Sequence, residues 1–194
     1  MFARVFLAPV FGALLFSTTF SHAASLTFNQ TSVNATLNDI VTIDILMDFT
    51  DEPTLGGGTD IFFDPTVLSF QSFDFGSTTL TLDPAFSRVP DLLPGELEGM
   101  AFGEFGGLSG PGVVATLTFQ AIGLGNSALT MEVTSEALKG GDFISDVTFG
   151  PMVVDFGTAN VNVGTAVVPI PAALWLFGSG LVGLAGIAKK RKTA

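Results

Sequence analysis

The chain of 194 residues carries 18 acidic side chains against seven basic ones, a net charge of −11, with one histidine, no cysteine, no tyrosine and a single tryptophan. That balance disfavours nucleic acid and anionic lipid headgroups as partners. The lack of cysteine excludes disulfides, thiolate zinc sites and a cysteine nucleophile.

Met1 to Ala23 holds one early positive charge, Arg4, then an apolar core from Val5 to Phe16 and a polar stretch ending Ser21-His22-Ala23. This is the layout of a secretory signal peptide (residues 1–23) cut after Ala23. His22 is the chain's one histidine. It leaves with the leader, so the mature protein has no group for a Ser-His-Asp triad or a histidine zinc site.

The body, residues 24–165, is the size of one domain. It holds all 18 acidic residues but only Arg88 and Lys139 as basic ones, a net charge of −16. Such a surface favours solubility, cation association or a basic partner.

Strands dominate the expected elements. Leu26 to Asn29 comes first. Ile40 to Phe49 then alternates Val41, Ile43, Ile45, Met47 and Phe49 against Thr42, Asp44, Leu46 and Asp48, the period of two of a strand with one buried face. Thr59 to Phe63, Val67 to Phe75 and Leu97 to Phe105 follow. Val113 to Gln120 sets Val113, Ala115, Leu117 and Phe119 opposite Val114, Thr116, Thr118 and Gln120. Ser127 to Val133, Val147 to Phe149 and Ala159 to Val163 complete the set. Turn clusters separate them at Asp51 to Gly58, Asp64-Pro65, Gly106 to Gly112, Gly123 to Asn126 and Gly140 to Asp142. Ser135 to Lys139 reads as a short helical turn, and Ser77 to Gly95 as the longest loop. Eight or nine short strands predict an all-β, antiparallel β-sandwich.

Two acidic groupings are candidate sites. Asp48, Asp51, Glu52, Asp60 and Asp64 bracket Gly56-Gly57-Gly58, and clustered carboxylates make calcium the one cofactor to weigh. Their spacing fits no EF-hand, so they are read as a solvated acidic loop. Glu96, Glu98 and Glu104 are the nearest grouping for paired-carboxylate glycoside hydrolysis. They are read as an exposed strand face, and the protein as a non-enzyme. With Tyr and Trp missing from the body, the usual sugar-stacking platform is missing too. Asn29-Gln30-Thr31 and Asn34-Ala35-Thr36 fit the N-glycosylation pattern but are read as strand-edge polar residues.

Gly57 to Phe70, an apolar strand running into Asp64-Pro65 and Val67-Leu68, resembles the aromatic-Asp-Pro-x-Val-Leu run of the cohesin family. Gly112 to Met131 resembles that family's Val-Ala-x-Leu-x-Phe strand, turn and second apolar strand, and Asn38 to Asp44 fits its early strand. The resemblance spans most of Leu26 to Val163. It implies a nine-stranded jelly-roll-like sandwich serving recognition, in a family that binds calcium-loaded dockerin modules through one sheet face. None of the matching motifs places a dockerin-contacting residue.

The chain closes on a proline-containing linker (residues 166–171), an uncharged apolar segment (residues 172–188) of near-spanning length and a basic tail (residues 189–194). Lys189, Lys190, Arg191 and Lys192 predict an orientation with the body outside and the tail inside. Val168, Pro169, Pro171 and Ala172, followed by Trp175, Leu176, Phe177, Gly178, Ser179, Gly180 and Leu181, resemble the Val-Pro-Leu-Pro-Ala variant of the PEP-CTERM family of C-terminal sorting signals. Ile170 stands where that family's name-giving Glu would be, which leaves removal of the tail open. Ser179 and Gly183 also form a small-xxx-small pair.

The expectation is therefore an exported protein of a Gram-negative, exopolysaccharide-producing bacterium. It is held in the membrane by one C-terminal helix, or handed by the envelope's sorting machinery to the cell surface or extracellular matrix. There it binds a protein or polysaccharide. The alternatives are a carbohydrate-binding module linked to exopolysaccharide or polysaccharide breakdown, and a purely structural biofilm matrix protein.

Overall fold

A computed structural model describes residues 24–76 and 79–165, together with Phe177. The expected signal peptide and nearly all of the C-terminal segment lie outside the described residues. Among the described residues no helix is long and apolar enough to cross a membrane.

Among the described residues twelve strands form two sheets: β1 (Ser25–Phe28), β2 (Ser32–Thr36), β3 (Ile40–Asp48), β4 (Thr54–Phe62), β5 (Leu68–Asp74), β6 (Asp91–Leu93), β7 (Glu96–Leu108), β8 (Gly112–Ala121), β9 (Gly125–Val133), β10 (Ile144–Ser145), β11 (Asp155–Phe156) and β12 (Ala159–Gly164). One sheet runs β11-β1-β3-β8-β5. The other runs β2-β12-β9-β4-β7-β6, with β10 on β4. Pairing is antiparallel except at two places, where β1 meets β11 and β2 meets β12 in parallel. The fold is thus the expected all-β sandwich, with more strands than expected and not antiparallel throughout.

The alternation of β3 does what its sequence dictates: Val41, Ile43, Ile45, Met47 and Phe49 are all buried. In β8, Leu117 and Phe119 are buried as expected, but so is Val114 beside Ala115. The ladder shifts there, because Ile45 faces Ala115 while Leu46 faces Val113. The extra residue is a β-bulge that turns Val114 inward in place of Val113. Phenylalanines knit the layers: Phe119 packs on Phe63 at 5.2 Å and on Phe70 at 5.9 Å, and Phe143 lies 5.6 Å from both Phe49 and Phe102.

Four expectations need correction. Gly56-Gly57-Gly58 is not a turn but the middle of β4, and β7 likewise runs on through Gly106 to Leu108. Gly58 serves close approach: a Cβ there would lie 2.4 Å from the Lys139 carbonyl oxygen and 2.6 Å from Thr134 Cγ2. Val147 to Phe149 is a turn rather than a strand. The Ser145 hydroxyl accepts both the Val147 and Thr148 N–H groups at 3.2 Å, and Phe149 takes a positive φ of 56°. Ser77 to Gly95 is not wholly loop, since it contains β6. The helical turn does form, as a single 3-10 turn, η1, at Ala137–Lys139.

Candidate functional site: an acidic face on the larger sheet

The outward face of β9-β4-β7-β6 gathers carboxylates that are far apart in sequence. Register brings Asp60 of β4 opposite Glu132 of β9, Phe62 opposite Glu96 of β7, and Asp91 of β6 opposite Glu98. The bulge in β7 shapes this group. Thr59 faces Met100 while Ile61 faces Leu97, which leaves Glu98 and Gly99 together opposite Asp60. Leu97 and Met100, three residues apart, are consequently both fully buried. Gly99 takes a positive φ of 72°, as the left-handed position of such a bulge requires. Its N–H donates to Asp60 Oδ1 at 2.7 Å, fixing a carboxylate that is only 7% exposed.

The 3-10 turn η1 lies over this bulge. Lys139 donates a hydrogen bond to Glu98, and its ammonium is also 3.4 Å from Asp91. Arg88 Nη2 donates to Asp91 Oδ2 at 2.6 Å. Both basic residues of the body are therefore consumed by Asp91 and Glu98. The Arg88–Asp91 pair is largely exposed and adds little stability, but it removes the guanidinium as a counter-charge for its neighbours. The hydrogen bond to Glu98 raises the Lys139 pKa, and the one from Arg88 lowers that of Asp91. Partial burial, and after it the charges of Asp60, Glu98 and Glu132, push the Glu96 carboxyl above the ordinary glutamate range. The face as folded carries an excess of negative charge that a cation from outside would relieve.

Apolar surface adjoins it. Phe86 and Phe105 are exposed, 5.8 Å apart. A crevice of about 230 Å³ separates Phe86 from Ile144 and Gly140. A second, of about 350 Å³, opens along the sandwich edge beside β6.

The sequence groupings are redistributed by this geometry. Asp48, Asp51 and Glu52 precede β4 and Asp64 follows it. Nine residues of extended strand lie between them, roughly 30 Å at the usual rise, so the five carboxylates do not converge as one calcium site. Asp48 and Asp64 are instead turn caps. The Asp48 Oδ1 accepts the Thr50 hydroxyl at 2.5 Å and N–H at 3.1 Å, and the Asp64 Oδ1 accepts the Thr66 hydroxyl at 2.6 Å and N–H at 2.8 Å. Thr66 thereby holds the Asp64 carboxyl below its usual range. Among the described residues no group of three or more His, Cys, Asp or Glu is arranged to hold a metal ion. Glu96 and Glu98 do share a face, but Glu104 lies six residues further along β7, roughly 20 Å away. Glu96, Glu98 and Glu104 line neither crevice.

Sequence reasoning missed Asp91, Glu132 and Lys139 as members of this group. Only the spacing of Glu96 and Glu98 was a readable signal, because Asp60 and Glu132 meet through a register that no local pattern encodes. The sorting-signal residues and the cleavage residue Ala23 lie outside the described residues, apart from Phe177, which is exposed.

No protein-family model matches the chain, and no curated protein matches it. Solved structures do. The sixth cohesin of scaffoldin B from Acetivibrio cellulolyticus, in complex with a mutant Cel5 dockerin, superposes with a TM-score of 0.53 at 18% identity, covering 73% of this chain and 99% of that one. A non-cellulosomal cohesin from Archaeoglobus fulgidus gives 0.52 at 12% identity, over 75% and 94%. The cohesin module of a family 33 glycoside hydrolase from Clostridium perfringens gives 0.51 at 6% identity, over 74% and 98%. At such identities the likeness is one of fold: the body is a cohesin-like β-sandwich.

Proposed function

We propose that this chain is an exported, non-enzymatic binding module whose partner is a basic protein, received on the acidic face of β9-β4-β7-β6. One observation carries the reading. Arg88 and Lys139 are spent on Asp91 and Glu98, so Glu96 and Glu132 stand beside the buried Asp60 without a cation of their own among the described residues. Surfaces of one sign steer partners of the other and set specificity more than raw affinity. A protein partner also agrees with the dockerin held by the Acetivibrio module. Fold likeness by itself assigns no ligand. A polysaccharide ligand is less well supplied, since no Tyr or Trp is present in the body to stack on sugar rings.

Export rests on the leader up to Ala23 and on the PEP-CTERM-like tail from Val168 to Lys192. Together these deliver the domain to the envelope, anchored by residues 172–188 or released to the cell surface or matrix. The test is to immobilise the full chain in non-ionic detergent, pass over it the extracellular matrix of the source bacterium, and analyse what is retained for protein and for glycan. A protein that elutes as salt is raised should be retained, because at 1 M salt charges are screened beyond about 3 Å. Retention of glycan alone, or of nothing, refutes the proposal.

A further inference from the structure

The crevice at the edge of the sandwich lies where β5 and β6, the outermost strands of the two sheets on that side, leave the interior uncovered. Its floor is core, the buried Phe63 and Leu68, and its walls are Phe70, Leu92, Leu93 and Ile122, enclosing about 350 Å³. Leu92, Leu93 and Ile122 are 56%, 39% and 46% exposed and line the same crevice, so aliphatic surface faces solvent there. Contiguous apolar surface rimmed by polar groups marks an interaction site more often than scattered exposed residues do.

The rim specifies what fits. Glu96 does not line the crevice but is the ladder partner of Leu93, which does, and Asp64 immediately precedes Pro65, another lining residue. Both carboxylates belong to a body of net charge −16, and Arg88 and Lys139 are committed to Asp91 and Glu98. A second copy of the domain would bring the same negative charge to this edge, which opposes self-association here.

We infer that the crevice receives an aliphatic side chain of a basic polypeptide, a leucine- or isoleucine-like anchor flanked by lysine or arginine reaching Glu96 and Asp64. The inference rests on the reading of the acidic face and adds to it the apolar anchor that supplies affinity. Interfaces take most of their energy from a few desolvated anchors, while rim charges chiefly tune rate and salt dependence.

The experiment uses the full chain in non-ionic detergent and three fluorescent ten-residue peptides: alternating Leu-Lys, alternating Ser-Lys and alternating Leu-Glu. Binding is read by anisotropy. The Leu-Lys peptide is expected to bind at least tenfold more tightly than the Ser-Lys peptide, and the Leu-Glu peptide not at all. Ile122→Asp and Leu93→Asp alter exposed side chains and so leave the fold intact, which urea denaturation checks. Each should abolish the preference for Leu-Lys, whereas Val153→Asp, at a position 86% exposed and outside the crevice, should leave it unchanged. Glu96→Gln should weaken Leu-Lys binding several-fold and flatten its salt dependence.

Equal binding of Leu-Lys and Ser-Lys, lost in a Glu96→Gln, Glu132→Gln variant, overturns the crevice while leaving the acidic face standing. Binding of neither basic peptide overturns both. A preference for Leu-Lys that survives Ile122→Asp and Leu93→Asp, or binding of Leu-Glu as tight as that of Leu-Lys, overturns the crevice as the seat of a basic partner.

Discussion

Gly58→Ala is a perturbation whose sign separates two physical accounts. In an ordinary strand, replacing glycine by alanine restricts the unfolded chain and stabilises the protein by about 0.4–1 kcal/mol. At Gly58 the new methyl would sit 2.4 Å from the Lys139 carbonyl oxygen and 3.0 Å from Gly140 Cα, about 1 Å inside normal contact for the first. Thr134 Cγ2, 2.6 Å away, could turn aside, but the Lys139 oxygen and Gly140 Cα are backbone, so no rotamer change relieves those two contacts. Overpacking of this kind costs about 1–3 kcal/mol, and after the unfolded-state gain a net loss of roughly 1–2 kcal/mol remains. With a urea slope near 2 kcal/mol/M, the denaturation midpoint should fall by roughly 0.5–1 M. Because η1 must move, Lys139 should also leave Glu98 and react faster with an amine-acylating reagent. A midpoint that stays put or rises would refute the packing of η1 on β4.

Further outcomes follow from burial, charge and targeting. Phe119→Asp and Ile43→Asp place an unpaired carboxylate at positions of zero exposure and should cost several kcal/mol of a total near 5–15, seen as loss of the cooperative urea transition. Thr118→Asp and Thr42→Asp, on the outward side, should cost far less. Since the Glu96 carboxyl titrates above its ordinary value, the folded state binds the extra proton between the two values, and this group's contribution to stability falls as pH rises through that window. Glu96→Gln should therefore be more stable than the parent at neutral pH, an advantage that fades as pH is lowered through the raised value; urea midpoints at successive pH values check this, and a constant difference would contradict it. Deleting Val168 to Ala194 should convert an envelope-associated protein into a secreted soluble one, as followed by fractionation; cytosolic intact protein would sink the export reading.

What the sequence made legible was periodicity. The strands around Ile43 and Phe119 show because a strand with one wet face must alternate, and their bulky residues are buried where the alternation puts them. What stayed hidden was non-local. Gly56-Gly57-Gly58 resembles a turn by composition, yet it is strand because it pairs with Ala101 to Gly103 of β7, and its lack of side chains makes room for Phe143 and for Lys139 of η1, some eighty residues later. The bulges at Val114 and at Glu98-Gly99 interrupt the alternation without altering composition. β2 and β11 are held by parallel partners distant in the chain, so they carry weak patterns of their own. The acidic face shows the same limit: Glu96 and Glu98 are neighbours on a strand, whereas Asp60, Asp91, Glu132 and Lys139 join them only through strand register and the seat of η1.

If this face, and not the acidity of the domain at large, receives a basic protein, charge reversal must act there and not elsewhere. The direct measurement compares capture of matrix protein by three full-length chains: the parent, the double charge reversal Glu96→Lys with Glu132→Lys, and an equal reversal on the other sheet, Asp74→Lys with Asp155→Lys, both exposed positions. The parent and the second variant should retain the same protein while the first loses it. Equal loss in both variants would show that net charge alone governs capture, and unchanged capture by the first would remove the acidic face from the function.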